Sequence, residues 1–158
     1  GPQNTRLRIT NGCAGQTMWI AHMVGSGVGS DPQNVMLPPG ASHDFAVEDG
    51  MASTRYWPKL GCNDQGGGCL IGDSGGPGEA CLAKVGCAPP VDTKFEATFG
   101  VAGQVCDPPS GQIAGCDWLD VSLVDGFTVP FKVEVEGHCQ GRVAVDCSRL
   151  ELARCPAD

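Results

Sequence analysis

The chain has 158 residues, a length that allows one domain. Its formal net charge is −8, which disfavours nucleic acids and anionic membranes as partners because both are negatively charged. Its 10 cysteines, 24 glycines and 12 prolines indicate a disulfide-stapled protein from an oxidising compartment. Without a signal peptide or an apolar run of membrane length, we expect a mature, soluble, secreted form, with Gly1 and Pro2 left over from a tag.

Short β-branched or aromatic segments recur along the chain, separated by turns rich in glycine and proline. In chain order the predicted strands are LRITNG, MWIAHMVG, HDFAVED, STRYWPKLG, FEATFGVAG, WLDVSLVD and FTVPFKVEVEG. In the last of them Phe131, Val133 and Val135 alternate with charged residues, as in a strand with one buried face. The pattern predicts an all-β fold, an antiparallel β-sandwich or flattened barrel. Only residues 148–154 have a helical pattern, and we predict a single domain over residues 3–158.

The segment GDSGGPG, residues 72–78, matches the nucleophile motif of chymotrypsin-like serine proteases, and His22 lies upstream as a candidate base. Such catalysis needs the serine beside an imidazole that a carboxylate orients. In that family the histidine and the serine belong to two β-barrels, and the 51 residues between His22 and Ser74 are too few for this arrangement. Glycine-rich turns also recur for backbone reasons alone. We therefore predict that the chain is not a serine protease.

The histidines and cysteines do not predict a metal site. No Cys-x-x-Cys pair occurs, and His22, His43 and His138 are scattered along the chain. We expect these histidines to be ordinary surface or hydrogen-bonded residues. The sequence therefore predicts no metal and no other cofactor.

Several motifs occur in the order found in one known family. The most specific is DWLDVSLVDGFTVPFKVEV, and it is accompanied by LRITNGCAGQTMWIAH, TRYWPKLGC, CNDQGGGCLIGDSGGPGEAC, FEATFG and DCSRLELARCP. From residue 7 to residue 156 the chain resembles the thaumatin-like proteins, a pathogenesis-related family that includes osmotin and zeamatin. It is similar to a short form that lacks the family's second disulfide-rich lobe. The resemblance implies a thaumatin-like β-sandwich with little helix.

The resemblance also implies a disulfide pattern. Ser74 stands where the family has a cysteine, so GDSGGPG becomes a structural turn. Spacing alone does not give the pairing. The family links its N-terminal strand to its C-terminus, which implies Cys13–Cys155 and leaves Cys139 to pair with Cys147. The implied bridges are Cys62–Cys69, Cys81–Cys87, Cys106–Cys116, Cys13–Cys155 and Cys139–Cys147.

The family has a cleft lined by one arginine, one glutamate and up to three aspartates. The motifs place four of these positions here, at Arg55, Glu96, Asp120 and Asp125. Hydrolysis of a glycosidic bond needs one protonated and one ionised carboxyl, which suggests Glu96 as the acid and Asp120 or Asp125 as the base. The same groups would bind a sugar without cleaving it. The structural alternative is an Arg55–Glu96 salt bridge with a turn at Asp125 and Gly126.

Aromatic side chains could stack on a sugar ring in such a cleft. The candidates are Trp19, Tyr56, Trp57 and Trp118, of which we expect at least Trp57 to lie in the core.

Three functions follow as hypotheses. The first is binding of a cell-wall polysaccharide, β-1,3-glucan or similar, with the antifungal, defence-related role that the resemblance implies. The second is a weak endo-β-1,3-glucanase activity. The third is a protein-interaction module, such as an enzyme inhibitor or an effector. The expected partner is thus a polysaccharide or an extracellular protein, and we expect a monomer.

Overall fold

The computed structural model describes residues 5–25, 27–73, 93–137, 144–151 and 153. In these residues the chain forms nine strands and one short 3-10 helix, Pro108–Ser110. The strands are β1 (Leu7–Thr10), β2 (Met18–Val24), β3 (Asn34–Leu37), β4 (Ser42–Phe45), β5 (Thr54–Leu60), β6 (Lys94–Thr98), β7 (Trp118–Ser122), β8 (Lys132–Glu134) and β9 (Ala144–Asp146). The predicted all-β class is confirmed.

Each of the seven segments predicted as strands contains one, whereas β3 and β9 were not predicted. The four residues of β3 lie between Pro32 and Pro38, so the flanking turn signals hide the strand. In the described part of residues 148–154, where a helical turn was predicted, Ser148 and Arg149 form a turn and Ala153 has a 3-10 conformation. There the Asp146 carboxylate accepts a hydrogen bond from the Ser148 amide at 3.0 Å, which favours a turn directly after β9.

The strands form three antiparallel sheets. The largest has the order β3-β2-β5-β6-β7, and the two small sheets pair β1 with β4 and β8 with β9. Apolar side chains of β1 and β4 pack against one face of the five-stranded sheet, which we call its inner face; the opposite face is the outer face. The two packed layers form the predicted sandwich.

Aromatic rings fill the centre of the inner face. The Tyr56 ring lies 5.0 Å from that of Phe45 and 5.9 Å from that of His22, measured between centroids. Burial raises the pKa of the Tyr56 hydroxyl. The His22 ring is itself buried, with Nε2 2.8 Å from the Pro32 carbonyl oxygen. His22 is therefore a hydrogen-bonded core residue, as expected.

Two of the implied disulfides are confirmed, Cys62–Cys69 and Cys106–Cys116. The expected Cys81–Cys87 bridge lies outside the described residues. Cys13 and Cys147 are free thiols, so the expected Cys13–Cys155 and Cys139–Cys147 bridges are wrong in this structure. Cys13 instead packs against the apolar core, where a thiol behaves as a small hydrophobic group.

The solvent side of the β1–β4 sheet carries a bidentate ion pair. Arg8 Nε and Nη2 donate to the two Asp44 carboxylate oxygens at 2.6 and 2.9 Å, and the Thr5 hydroxyl donates to the same carboxylate at 2.9 Å. The hydrogen bonds from Arg8, followed by the bond from Thr5, lower the pKa of Asp44 to about 2 from 3.8. A lowered carboxyl pKa means that this pairing stabilises the fold above pH 3.8 and is lost as the pH falls towards 2.

We therefore expect Asp44 to titrate with a midpoint near 2 in carboxyl-detected NMR. The Arg8→Gln variant should move that midpoint up towards 3.8, because the principal donor to the carboxylate is gone. Thr5→Ala should produce a smaller rise. A midpoint near 3.8 in the unmodified protein would show that the pair does not persist in solution.

Candidate functional site

Three of the four residues predicted to line a cleft form a row across neighbouring strands. Arg55 of β5 lies opposite Glu96 of β6, and Glu96 lies opposite Asp120 of β7. Residues directly opposite in antiparallel strands share a face, with Cβ atoms about 4.5–5.5 Å apart. Arg55 Nε is 3.5 Å from Glu96 Oε2, and Asp120 is exposed. The sheet register therefore brings Arg55, Glu96 and Asp120 together on the outer face.

The fourth residue, Asp125, pairs with a different cation. Its carboxylate accepts a hydrogen bond from Lys94 Nζ. Lys94 precedes Glu96 by two positions on β6, so both face outward. The Gly126 amide donates to the Leu123 carbonyl at 3.2 Å, which forms the turn that was the structural alternative for Asp125. Lys94 was not predicted as a site residue, although its position two residues before Glu96, which lies on a predicted strand, indicates that the two side chains share a face.

One exposed tryptophan accompanies the row. Trp118 lies two positions before Asp120 on β7, on the same face, and is 51% exposed. The indole can therefore offer a ring face to a ligand that also reaches Asp120. Among the four aromatic candidates, Trp118 is the one with a largely exposed side chain.

The other three aromatic candidates are held within the fold. Trp57 is buried and donates from Nε1 to the Gly72 carbonyl at 3.0 Å, so its expected place in the core is confirmed. Tyr56 is buried on the inner face. Trp19 is partly buried, and the backbone of Gly66 lies close against its ring.

Gly72 and Asp73, the first two residues of GDSGGPG, pack against β5. Lys59 is fully buried, with Nζ 3.1 Å from Asn34 Oδ1 and 3.7 Å from Asp73 Oδ1. The second distance is an ion-pair separation rather than a hydrogen bond, and Asp73 Oδ1 is accordingly a buried oxygen without a hydrogen-bond partner in the structure. Gly72 lies so close to β5 that its carbonyl accepts a hydrogen bond from the Trp57 indole N–H. Gly72 and Asp73 therefore have structural roles.

The structure gives no support to the serine protease hypothesis in the residues it describes. His22 lies on the inner face, opposite Tyr56, whereas Asp73 contacts Lys59 on the outer face. The sheet therefore separates the imidazole from the residue that precedes Ser74. Ser74 itself lies outside the described residues.

Two cavities in the described structure lie away from the row. One, of about 330 Å³, is bounded by the loop at residues 104–114. Another, of about 420 Å³, lies beside Trp19 and the Cys62–Cys69 loop. None of the four predicted site residues lines either cavity.

Among the described residues, no group of three or more His, Cys, Asp or Glu side chains is arranged to hold a metal ion. In the same part of the chain, no helix has the length and apolar character needed to cross a membrane.

The sequence model of the Thaumatin family matches residues 11–158. The chain belongs to the thaumatin family. Thaumatin-like protein 1 of Arabidopsis thaliana is 33% identical to it over 164 residues, covering 100% of this chain and 59% of the relative. Pathogenesis-related protein 5 of Arabidopsis thaliana is 30% identical over 155 residues, covering 96% and 57%. A thaumatin-like protein of Actinidia deliciosa is 30% identical over 155 residues, covering 95% and 57%.

Membership of the thaumatin family confirms the resemblance stated from the motifs. This thaumatin-family chain spans less than two thirds of the length of these relatives. The outer-face row presents a guanidinium and two carboxylates, and Trp118 beside it presents an indole. These groups hydrogen-bond to polar ring compounds and stack on them.

Proposed function

We propose that the chain is a secreted, defence-related thaumatin-like protein that binds a neutral cell-wall polysaccharide, such as β-1,3-glucan, as a monomer. The observation that carries the proposal is the row of Arg55, Glu96 and Asp120 on the outer face, with Trp118 beside it. Sugar hydroxyls donate to carboxylates and accept from a guanidinium. The indole would pack against the apolar C–H face of a pyranose ring.

Charge supports a neutral glycan over an acidic one. Lys94 and Arg55 are each engaged with a carboxylate, Asp125 and Glu96 respectively, and Asp120 adds a further negative charge. The whole chain carries a formal −8. A polyuronate or a sulfated chain would meet net repulsion at this face.

The binding experiment is a pull-down on insoluble β-1,3-glucan, with soluble laminarin used to measure affinity. We expect the double variant Glu96→Gln/Asp120→Asn to bind at least about tenfold more weakly, because two charge-assisted hydrogen bonds become neutral ones. The control is Glu48→Gln/Asp64→Asn, which makes the same chemical changes at exposed positions outside the row. Equal affinities for these two double variants would contradict the proposal.

A weak endo-β-1,3-glucanase is the second candidate, and the register of Glu96 and Asp120 favours it. Their Cβ atoms lie on one face, about 4.5–5.5 Å apart by strand geometry, so the two side chains can bring their carboxyls to the separation of about 5–5.5 Å that retaining glycosidases use. Against this candidate, Glu96 would have to leave its ion pair with Arg55 to act as the acid. Reducing-sugar release from laminarin that disappears in Glu96→Gln would establish the enzyme, and glucan binding without release would exclude it.

A further inference from the structure

The two edges of the five-stranded sheet are protected differently. Among the strands that the structure describes, the sheet ends on one side at β3 and on the other at β7. Natural edge strands avoid pairing with other chains by being short or by carrying proline or lysine. β3 has four residues and lies between Pro32 and Pro38. The stretch from Asp117 to Thr128, which contains β7, has no proline, lysine or arginine.

β7 and the two residues that follow it present apolar side chains to solvent. Leu119 and Leu123 are each 40% exposed, and Val124 is 92% exposed. In the described part of the chain β6 is the strand that pairs with β7. In an antiparallel edge strand, the N–H and C=O groups of alternate residues point away from the sheet. This edge therefore has both the backbone groups and the apolar side chains that an added strand requires.

Charge determines which kind of strand fits. Asp117 is tied to Arg6 at 2.8 Å, and Asp125 to Lys94, but Asp120 has no ion-pair partner among the described residues. Asp120 is also the middle residue of β7. Antiparallel pairing of two copies about the strand centre would place the two Asp120 carboxylates opposite each other, which is unfavourable. A strand with a cation at that position would be attracted instead.

We propose that the β7 edge binds an extended segment of another protein by strand addition. The segment carries lysine or arginine opposite Asp120 and apolar residues opposite Leu119 and Val121. The cation meets Asp120 on the outer face, whereas the apolar residues extend the inner face, because side chains alternate along a strand. This partner differs from the polysaccharide of the proposed function, and the inference does not depend on that function.

The probe is an acetylated and amidated peptide, Ser-Thr-Val-Lys-Val-Thr-Ser, titrated into the isotope-labelled protein and followed by NMR. We expect saturable shifts of the β7 amides, with no matching shifts at β3. Replacing the peptide lysine by glutamate should weaken binding about fivefold, as attraction becomes repulsion. N-methylation of alternate peptide amides should abolish binding, because an added strand depends on backbone hydrogen bonds.

A substitution in the protein, instead of the peptide, tests the same edge. Leu119→Lys introduces an edge lysine and removes an apolar contact, so the peptide should bind about tenfold more weakly. Laminarin binding should be unchanged, since Leu119 faces away from Glu96 on the sheet. The N-methylated peptide keeps the test valid should Leu119→Lys disturb folding.

The inference would be overturned by absence of peptide binding to the unmodified protein, or by binding that does not distinguish lysine from glutamate. A concentration-dependent dimer in light scattering that Leu119→Lys abolishes would also overturn it, because the occupant of the edge would then be a second copy of the chain.

Discussion

Replacing Lys59 by methionine is expected to lower the free energy of unfolding by about 3–5 kcal/mol, the range for breaking a buried ion pair by removing one partner. Lys59 is completely buried and lies 3.7 Å from the Asp73 carboxylate, which is itself 9% exposed. Methionine keeps most of the side-chain volume but none of the charge. The Asp73 carboxylate would then stay buried without its cation.

Urea unfolding monitored by circular dichroism measures this change. The control is Lys132→Met, which removes an exposed lysine that pairs with Glu134 and should hardly move the unfolding midpoint. Adding Asp73→Asn to Lys59→Met should recover a substantial part of the loss, because the uncompensated charge is removed. If Lys59→Met proves as mild as Lys132→Met, the buried pair does not anchor the loop.

Gly72→Ala is expected to cost about 2–5 kcal/mol, combining left-handed strain with overpacking. Gly72 has φ of +84°, and a Cβ there would lie 2.2 Å from the Pro58 carbonyl oxygen and 2.9 Å from Lys59 Cα. Both atoms belong to the backbone of β5 and cannot move aside as a side chain could. The substitution would push the loop off β5 and strain the hydrogen bond from the Trp57 indole.

Gly103→Ala is the matched control, since Gly103 has a similar φ of +77° but nothing within 4 Å of the added Cβ. Thermal or urea unfolding of the two variants separates the clash from the backbone strain. We expect Gly72→Ala to be less stable than Gly103→Ala by about 1–3 kcal/mol. Equal losses would mean that Gly72 is required for its conformation alone.

These expectations give a physical reason for the glycine and the aspartate that begin the protease-like motif. Glycine allows the close approach of the loop to β5, and the aspartate compensates a buried lysine. The motif resembles a catalytic segment, but packing explains Gly72 and charge compensation explains Asp73.

The strands were largely predictable because hydrophobic alternation is local. FKVEVEG shows this clearly, since its apolar residues are half-buried and its charged residues exposed. β3 was missed because a four-residue strand between prolines lacks a measurable period. The two free thiols were missed because Cys13 was paired by analogy with the family and Cys147 with the cysteine that remained, and neither choice used a contact within this chain.

Part of the candidate site was predictable and part was not. Arg55, Glu96 and Asp120 were named from motifs, but their adjacency depends on the register of three strands from distant parts of the chain. The pairing of Lys94 with Asp125 and of Lys59 with Asp73 likewise depends on tertiary packing. No local pattern encodes such contacts, because each partner lies on a different element.

Mapping the glycan contact surface tests the central claim most directly. Amide and indole shifts of the labelled protein would be followed by NMR during titration with a laminarin oligosaccharide. We expect saturable changes at Arg55, Glu96, Asp120 and the Trp118 indole, with the β1–β4 sheet unaffected. Changes confined to the β1–β4 sheet or to the cavity beside Trp19, or no changes at saturating oligosaccharide, would contradict that claim.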